Sequence, residues 1–170
     1  SMEDGSSSTV SSSFSVTVTG VADAPDIAAA DVTGAEDSAI ALDVSANFTD
    51  TDGSESMTIE ISGIPDGATL SSGTSAIAVV GGIAIVTQDQ LANLAVQPAA
   101  NDDSDFTLTM TATTSEDGTS ATSTTTFDVT VTGVADVPTV TVNDASGTED
   151  SAIALNISTG VTDASESITS

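Results

Sequence analysis

The chain contains no lysine, no arginine and no histidine, so its formal charge is −26 over 170 residues. Without basic side chains it has no electrostatic grip on nucleic acid or on an anionic membrane surface. It also forms no ion pair between side chains and offers trypsin no site. Two carboxylates about 5 Å apart repel by roughly 3 kcal/mol at an effective dielectric of 20. Each acidic cluster must therefore be solvated, protonated or bound to a cation, and a divalent metal is the obvious candidate. Cysteine is absent as well, which excludes a disulfide framework and a thiolate metal site. Tryptophan and tyrosine are missing and phenylalanine occurs four times, so the core is thin and the usual sugar-stacking platforms are lacking. No apolar run is long enough to cross a bilayer and no signal peptide is evident; the chain reads as an excerpt from something longer. With no histidine, cysteine or lysine to act as base or nucleophile, only a carboxylate pair of the glycosidase type remains for catalysis. Without an aromatic-lined cleft, the expectation is no enzyme.

What is present is 38 % apolar residues, mostly Ala, Val, Ile and Leu, set among Ser, Thr, Gly and Asp: the composition of a folded, threonine-rich β protein. The chain also repeats itself. EDGSSSTVSSSFSVTVTGVADAP from Glu3 returns as EDGTSATSTTTFDVTVTGVADVP from Glu116, and GAEDSAIALDVS from Gly34 returns as GTEDSAIALNIS from Gly147. Gly20 and Gly133 mark a period of about 113 residues. That is a whole domain, unlike a solenoid unit of about 20–50 residues. The division expected is the end of one repeat (1–21), a complete repeat (22–135) and the beginning of a third (136–170).

Within the complete repeat SAIALDVS, MTIEISGI, AIAVV, IAIVT, DFTLTMTA and TFDVTVTG have strand-like alternation or short apolar runs. Gly81-Gly82, between two of them, suits a two-residue primed turn. Thr87 and Gln90 have capping-box spacing ahead of a single helical turn. About seven short strands in roughly 110 residues predict an all-β, immunoglobulin/cadherin-like antiparallel β-sandwich in tandem repeats. At the two ends, FSVTVTG predicts one strand, and VPTVTVND and SAIALNIS two more. Unpaired edges seek partners, so these are expected to pair with a neighbouring copy, or to belong to a longer fibre.

The acids gather in the predicted connections. Asp23 and Asp136 each precede a Pro at a join between repeats, and Glu36-Asp37 recurs as Glu149-Asp150. Asp50, Asp52 and Glu55 follow one strand; Asn101, Asp102, Asp103 and Asp105 precede another; Glu116 and Asp117 come just before the last. Sandwich loops collect at two ends, where carboxylates, Asn and backbone carbonyls from three loops can supply the six to eight oxygens of Ca²⁺. The plainer reading stands beside this one. Asp, Asn, Ser and Gly are ordinary turn formers, and FTDTDGSES lacks the acid, Gly and Glu positions of a helix-flanked calcium loop.

The order of linker acid plus Pro, E-D, T-D-x-D-G, N-D-D-x-D before FTLTMTA, E-D-G and FDVTVTG resembles a cadherin-like repeat. It is most similar to repeats of the large RTX-type adhesins and biofilm-associated proteins that bacteria export by type I secretion. The resemblance implies an extracellular extender of a bacterial cell surface, in which Ca²⁺ at domain junctions rigidifies a rod, and whose partners are neighbouring repeats or other copies end to end. It also implies ligand sets. Glu36, Asp102, Asp103, Asp105 and Asp136, with Asp163 of the next repeat, would serve the junction after the complete repeat. Asp23, Asp50 and Asp52 would serve the junction before it. The third repeat departs from the pattern: it reads VTDASESIT, a shorter loop in which the counterpart of Asp52 is expected to be missing. A different use of the chain, binding of glycan or ice through threonine-rich strand faces such as TLTMTATT, is the alternative.

Overall fold

A computed structural model of the chain describes residues 9–163 and 165–168. The first eight residues, where the expected 1–21 segment starts, lie outside the described part, as do Ala164 and residues 169–170. In chain order the elements are β1 (Asp26–Ala30), β2 (Val32–Ala35), β3 (Ile40–Ala41), β4 (Asp43–Asn47), β5 (Ser56–Ser62), β6 (Thr69–Ser72) and β7 (Ser75–Ile77). They continue with β8 (Ile83–Val86), α1 (Gln88–Leu91), β9 (Leu94–Gln97), β10 (Phe106–Glu116), β11 (Thr119–Thr132), β12 (Thr139–Asn143) and β13 (Asn156–Gly160).

The fold is all-β, with two layers over one core. One sheet has the order β2-β11-β10-β5-β8, the other β3-β9-β6-β7. β1 extends the second layer by pairing with β4, which follows β3 after Leu42 alone. The Leu42 N–H still reaches Leu94 O at 2.9 Å, so the layer barely breaks there. Alternation along the strands sends one set of side chains inward. Leu108, Met110 and Ala112 of β10, Ile59 and Ile61 of β5, and Phe127, Val129 and Val131 of β11 meet Ile40, Leu42, Leu70, Leu94 and Val96 from the other layer.

The expectation of purely antiparallel pairing is corrected at one edge, where β2 runs parallel to β11, Val32 opposite Val129 and Gly34 opposite Val131. The chain changes layers at Asp31, between β1 and β2, and a strand that switches sheets in mid-course arrives in its new sheet without a reversal. The Asp31 carboxylate accepts the Asp128 N–H at 2.9 Å and pins that crossing.

Two local expectations hold. Gly81 and Gly82 both have positive φ, 60° and 77°, in a tight turn closed by Val80 and Ile83. Gln90 Oε1 accepts the Thr87 N–H at 2.8 Å at the start of α1. Three strand expectations change. AIAVV contributes only its first residues to β7, because the chain leaves the hairpin to join β6 in the opposite layer. SAIALNIS forms a strand only from Asn156 onward. FSVTVTG lies in no strand, leaving Phe14, Val16 and Val18 exposed. The same pattern in β11 is held between β10 and β2, and among the described residues no strand flanks 14–20.

Candidate metal centres at the two poles

β10 fixes the geometry. Its 11 residues span the sandwich, and at about 3.4 Å per residue they separate its two ends by roughly 35 Å. Asp102, Asp103 and Asp105 precede its first residue, whereas Glu116 closes it and Asp117 follows. The acidic positions singled out in the complete repeat and its two linkers divide between these ends.

At the end where β10 finishes, the linker 20–25 lies across the pole. Glu55 Oε1 accepts the Asp23 N–H at 2.6 Å, and Asp117 Oδ2 accepts the Gly20 N–H at 3.0 Å. A Cβ at Gly20 would meet only the end of the Glu116 side chain, which shows how closely linker and hairpin approach there. Asp50 Oδ1 accepts the Asp52 N–H at 3.0 Å, and Asp52 in turn accepts from the Ser54 N–H and hydroxyl. Thus Asp23, Asp50, Asp52, Glu55, Glu116 and Asp117 share this pole. Asp117 also has a purely conformational role: with Gly118 it forms the two positive-φ residues, 45° and 84°, of the β10–β11 hairpin.

The opposite pole centres on Glu36. This side chain is 1 % exposed. Its backbone N–H donates to Thr132 O at 3.0 Å and its Oε1 accepts the Val134 N–H at 2.6 Å. Its Oε2 is buried with no hydrogen-bond partner, a condition that ordinarily costs about 1–3 kcal/mol, more for a charged group. Asp103 is close: an ideal Cβ on Gly133 would sit 3.4 Å from Asp103 Oδ2 and 3.6 Å from Glu36 Oε1. Asp105 Oδ1 accepts the Val131 N–H at 2.8 Å, and Asp102 Oδ1 accepts the Ser104 N–H at 3.1 Å. Asp37, at φ 58°, turns its carboxylate to the Asn101 N–H at 3.1 Å. That is the behaviour of a loop staple, and Asp tolerates the left-handed conformation because its short side chain bonds locally. Asp136 lies in the linker that leaves this pole, and Asp163 in the segment beyond it.

Three of these carboxyls have pKa values below the usual 3.8, each because a serine two residues on bonds to it through both hydroxyl and backbone: Ser54 on Asp52, Ser104 on Asp102, Ser165 on Asp163. Asp163 is close enough to Asp102 for its charge to push the Asp102 value the other way. Two loops flanking the second linker therefore meet electrostatically. Among the described residues no three acidic side chains converge on one point at metal-ligating distance; the carboxylates of each pole stand around its linker.

The shortened loop of the third repeat leaves one acid where the complete repeat has two. Strand register gives Asp163 the place of Asp50, since Gly160 lies opposite Thr139 as Asn47 lies opposite Asp26. Asp163 nevertheless accepts from the Ser165 N–H at 2.8 Å and from its hydroxyl at 2.5 Å, the bonds that Asp52 receives from Ser54. The sequence reasoning passed over Glu166, whose Oε1 accepts the Asp136 N–H at 2.5 Å as Glu55 does for Asp23. The signal was there: SES occurs at 54–56 and again at 165–167. Glu55 Oε2, like Glu36 Oε2, is buried without a partner. Comparisons with protein-family models, with curated proteins and with solved structures find no match to this chain.

Proposed function

We propose that the chain is a stretch of a structural extender: immunoglobulin/cadherin-like sandwiches repeating every 113 residues or so, stiffened at their junctions by Ca²⁺ and serving adhesion at a bacterial surface, with no catalytic role. The observation that carries this reading is Glu36. A carboxylate buried at a domain end has one oxygen bonded to the linker N–H of Val134 and the other facing no donor, in a chain with no basic side chain to neutralise it. A cation is the remaining source of countercharge.

The donor set fits a hard ion. Glu36, Asp103 and Asp102 from one domain, Asp136 from the linker, and Asp163 and Glu166 from the next are all oxygen ligands, and the flexible loops that carry them suit the irregular shell of Ca²⁺ better than the octahedron of Mg²⁺. Bound there, the ion would supply positive charge shared by both domains, and so remove the freedom of one to swing against the other. Affinity need only match extracellular calcium, about 10⁻⁴–10⁻³ M for such modules.

Thermal melting of the chain with EDTA and with millimolar calcium, followed by calcium titration calorimetry and small-angle scattering, tests the reading. A higher midpoint and a longer, stiffer particle with calcium are expected. No heat of binding and superimposable melting and scattering curves would end it.

A second reading, a filament joined by strand exchange, is favoured by the exposed alternating residues Phe14, Val16 and Val18, whereas β12 already pairs with β13 within the chain. Concentration-dependent fibres seen by electron microscopy would support it. The glycan or ice alternative draws less support. On the exposed face Thr111 bonds Thr124 at 3.3 Å and Thr113 bonds Thr122 at 3.0 Å, so these hydroxyls satisfy each other in a cross-strand ladder.

A further inference from the structure

Thr114 is fully buried at the end of β10, where an apolar side chain would ordinarily sit. Its hydroxyl donates to the carbonyl of Asp23, in the linker, at 2.5 Å. Neighbouring hydroxyls bond the rest of GVADAP, one as acceptor and two as donors. Thr119 Oγ1 accepts the Ala22 N–H at 2.7 Å, Thr49 Oγ1 donates to Ala24 O at 2.9 Å, and Ser123 Oγ donates to Pro25 O at 2.7 Å. Ala22 and Pro25 are buried against the same surface. All of these partners belong to the domain that follows the linker. In the second linker, GVADVP, Asp136 is likewise held by Glu166 from the C-terminal side, whereas Val134 is tied back to Glu36 of the preceding domain.

From this division we infer that each linker is docked as part of the domain that follows it, the first by neutral hydroxyl bonds that need no ion, and that the rod bends at Ala135, between Val134, tied back to Glu36, and Asp136, held by Glu166. Thr114, Thr119 and Ser123 are positioning residues: they fix the backbone of Asp23 before any cation arrives. A cation then has one hinge to immobilise rather than a six-residue tether, which lowers the ordering entropy that binding must overcome. The functional meaning rests on the extender reading above, but the docking itself does not.

The test is amide hydrogen exchange by NMR on the whole chain, first in EDTA and then with calcium. In EDTA the Ala22 amide, whose acceptor is the Thr119 hydroxyl, is expected to exchange at least tenfold slower than its intrinsic rate, and the Asp23 amide, held by Glu55, reports the carboxylate contact beside it. Thr119→Val, at an exposed position outside the core, should speed Ala22 exchange about fivefold while leaving Ile61 and Leu108 unchanged, and Thr119→Ser should restore it. Intrinsic-rate exchange of Ala22 in EDTA would overturn the inference, as would a Thr119→Val chain with Ala22 protection intact. Protection in EDTA with no further response to calcium would uphold the docking while sinking the calcium reading, so the two failures are distinguishable.

Discussion

Replacing Glu36 by glutamine should change the sign of its effect when calcium is removed. Glu36 Oε1 and Asp103 Oδ2 both lie near one point on Gly133, at 3.6 and 3.4 Å, and so are no more than 7.0 Å apart. At an effective dielectric of 20 that pair repels by roughly 2 kcal/mol, reduced toward about 1 kcal/mol by the exposure of Asp103. Glu36→Gln removes the repulsion and the buried charge yet keeps an oxygen for the Val134 N–H. In EDTA the variant should therefore melt at or above the wild-type midpoint. With calcium the balance reverses. A ligand at ten times its Kd stabilises the native state by about 1.4 kcal/mol, which for a domain near 110 residues raises the midpoint by roughly 6 °C. The variant should lose most of that gain. Scanning calorimetry of both proteins in EDTA and in 5–10 mM calcium (about tenfold above typical extracellular Kd values) gives four midpoints whose order decides the matter. Equal destabilisation by Glu36→Gln in both media would refute the reasoning, because it would make Glu36 an ordinary buried hydrogen-bond acceptor.

Acid should loosen the poles before the core. The folded values of Asp52, Asp102 and Asp163 lie below 3.8, so the stability their serine bonds add is complete above the unfolded pKa and disappears as pH falls through the folded values. Ser165→Ala should raise the Asp163 value, read by carboxyl NMR titration, and an unchanged titration would contradict the assignment. Gly118→Val forces a β-branched residue to φ 84° in the β10–β11 hairpin and should cost at least 1 kcal/mol in urea unfolding, with the loss concentrated near Glu116 and the linker contacts. Gly20→Ala meets only the end of the Glu116 side chain, which can swing aside, so the thermal midpoint of the domain in scanning calorimetry should stay within about 1 °C.

The legible parts of the fold were those where a residue's own chemistry leaves little choice. Gly81-Gly82 forms a primed turn because both positions need positive φ, and FTLTMTA becomes the central strand β10 because its alternation puts Leu108, Met110 and Ala112 on one face. Less legible were β1, β2, β6 and β9. DIAAA is rich in alanine, which has little strand preference, and TLSS gives the core a single apolar side chain, Leu70, so neither pattern rises above its surroundings. The first half of β11 was invisible for a related reason: Ser and Thr at 119–126 have no apolar alternation, and these residues become strand because Thr109–Glu116 of β10 run beside them.

Sequence by itself determined the charge problem. A chain with 26 acids and no basic side chain must solvate or neutralise its carboxylates, and the repeat returns an acid before the Pro at each join, Asp23 and Asp136. Only the tertiary structure decided which of them feel that problem most. It buried Glu36 with one oxygen unpartnered, gave Asp163 the serine bonds that Asp52 has, and brought Thr114 under the linker carbonyl of Asp23. Burial and hydrogen-bond partnership are properties of segments meeting across as many as 98 residues of chain, as Glu36 and Val134 do, and no local pattern encodes which atoms will meet there.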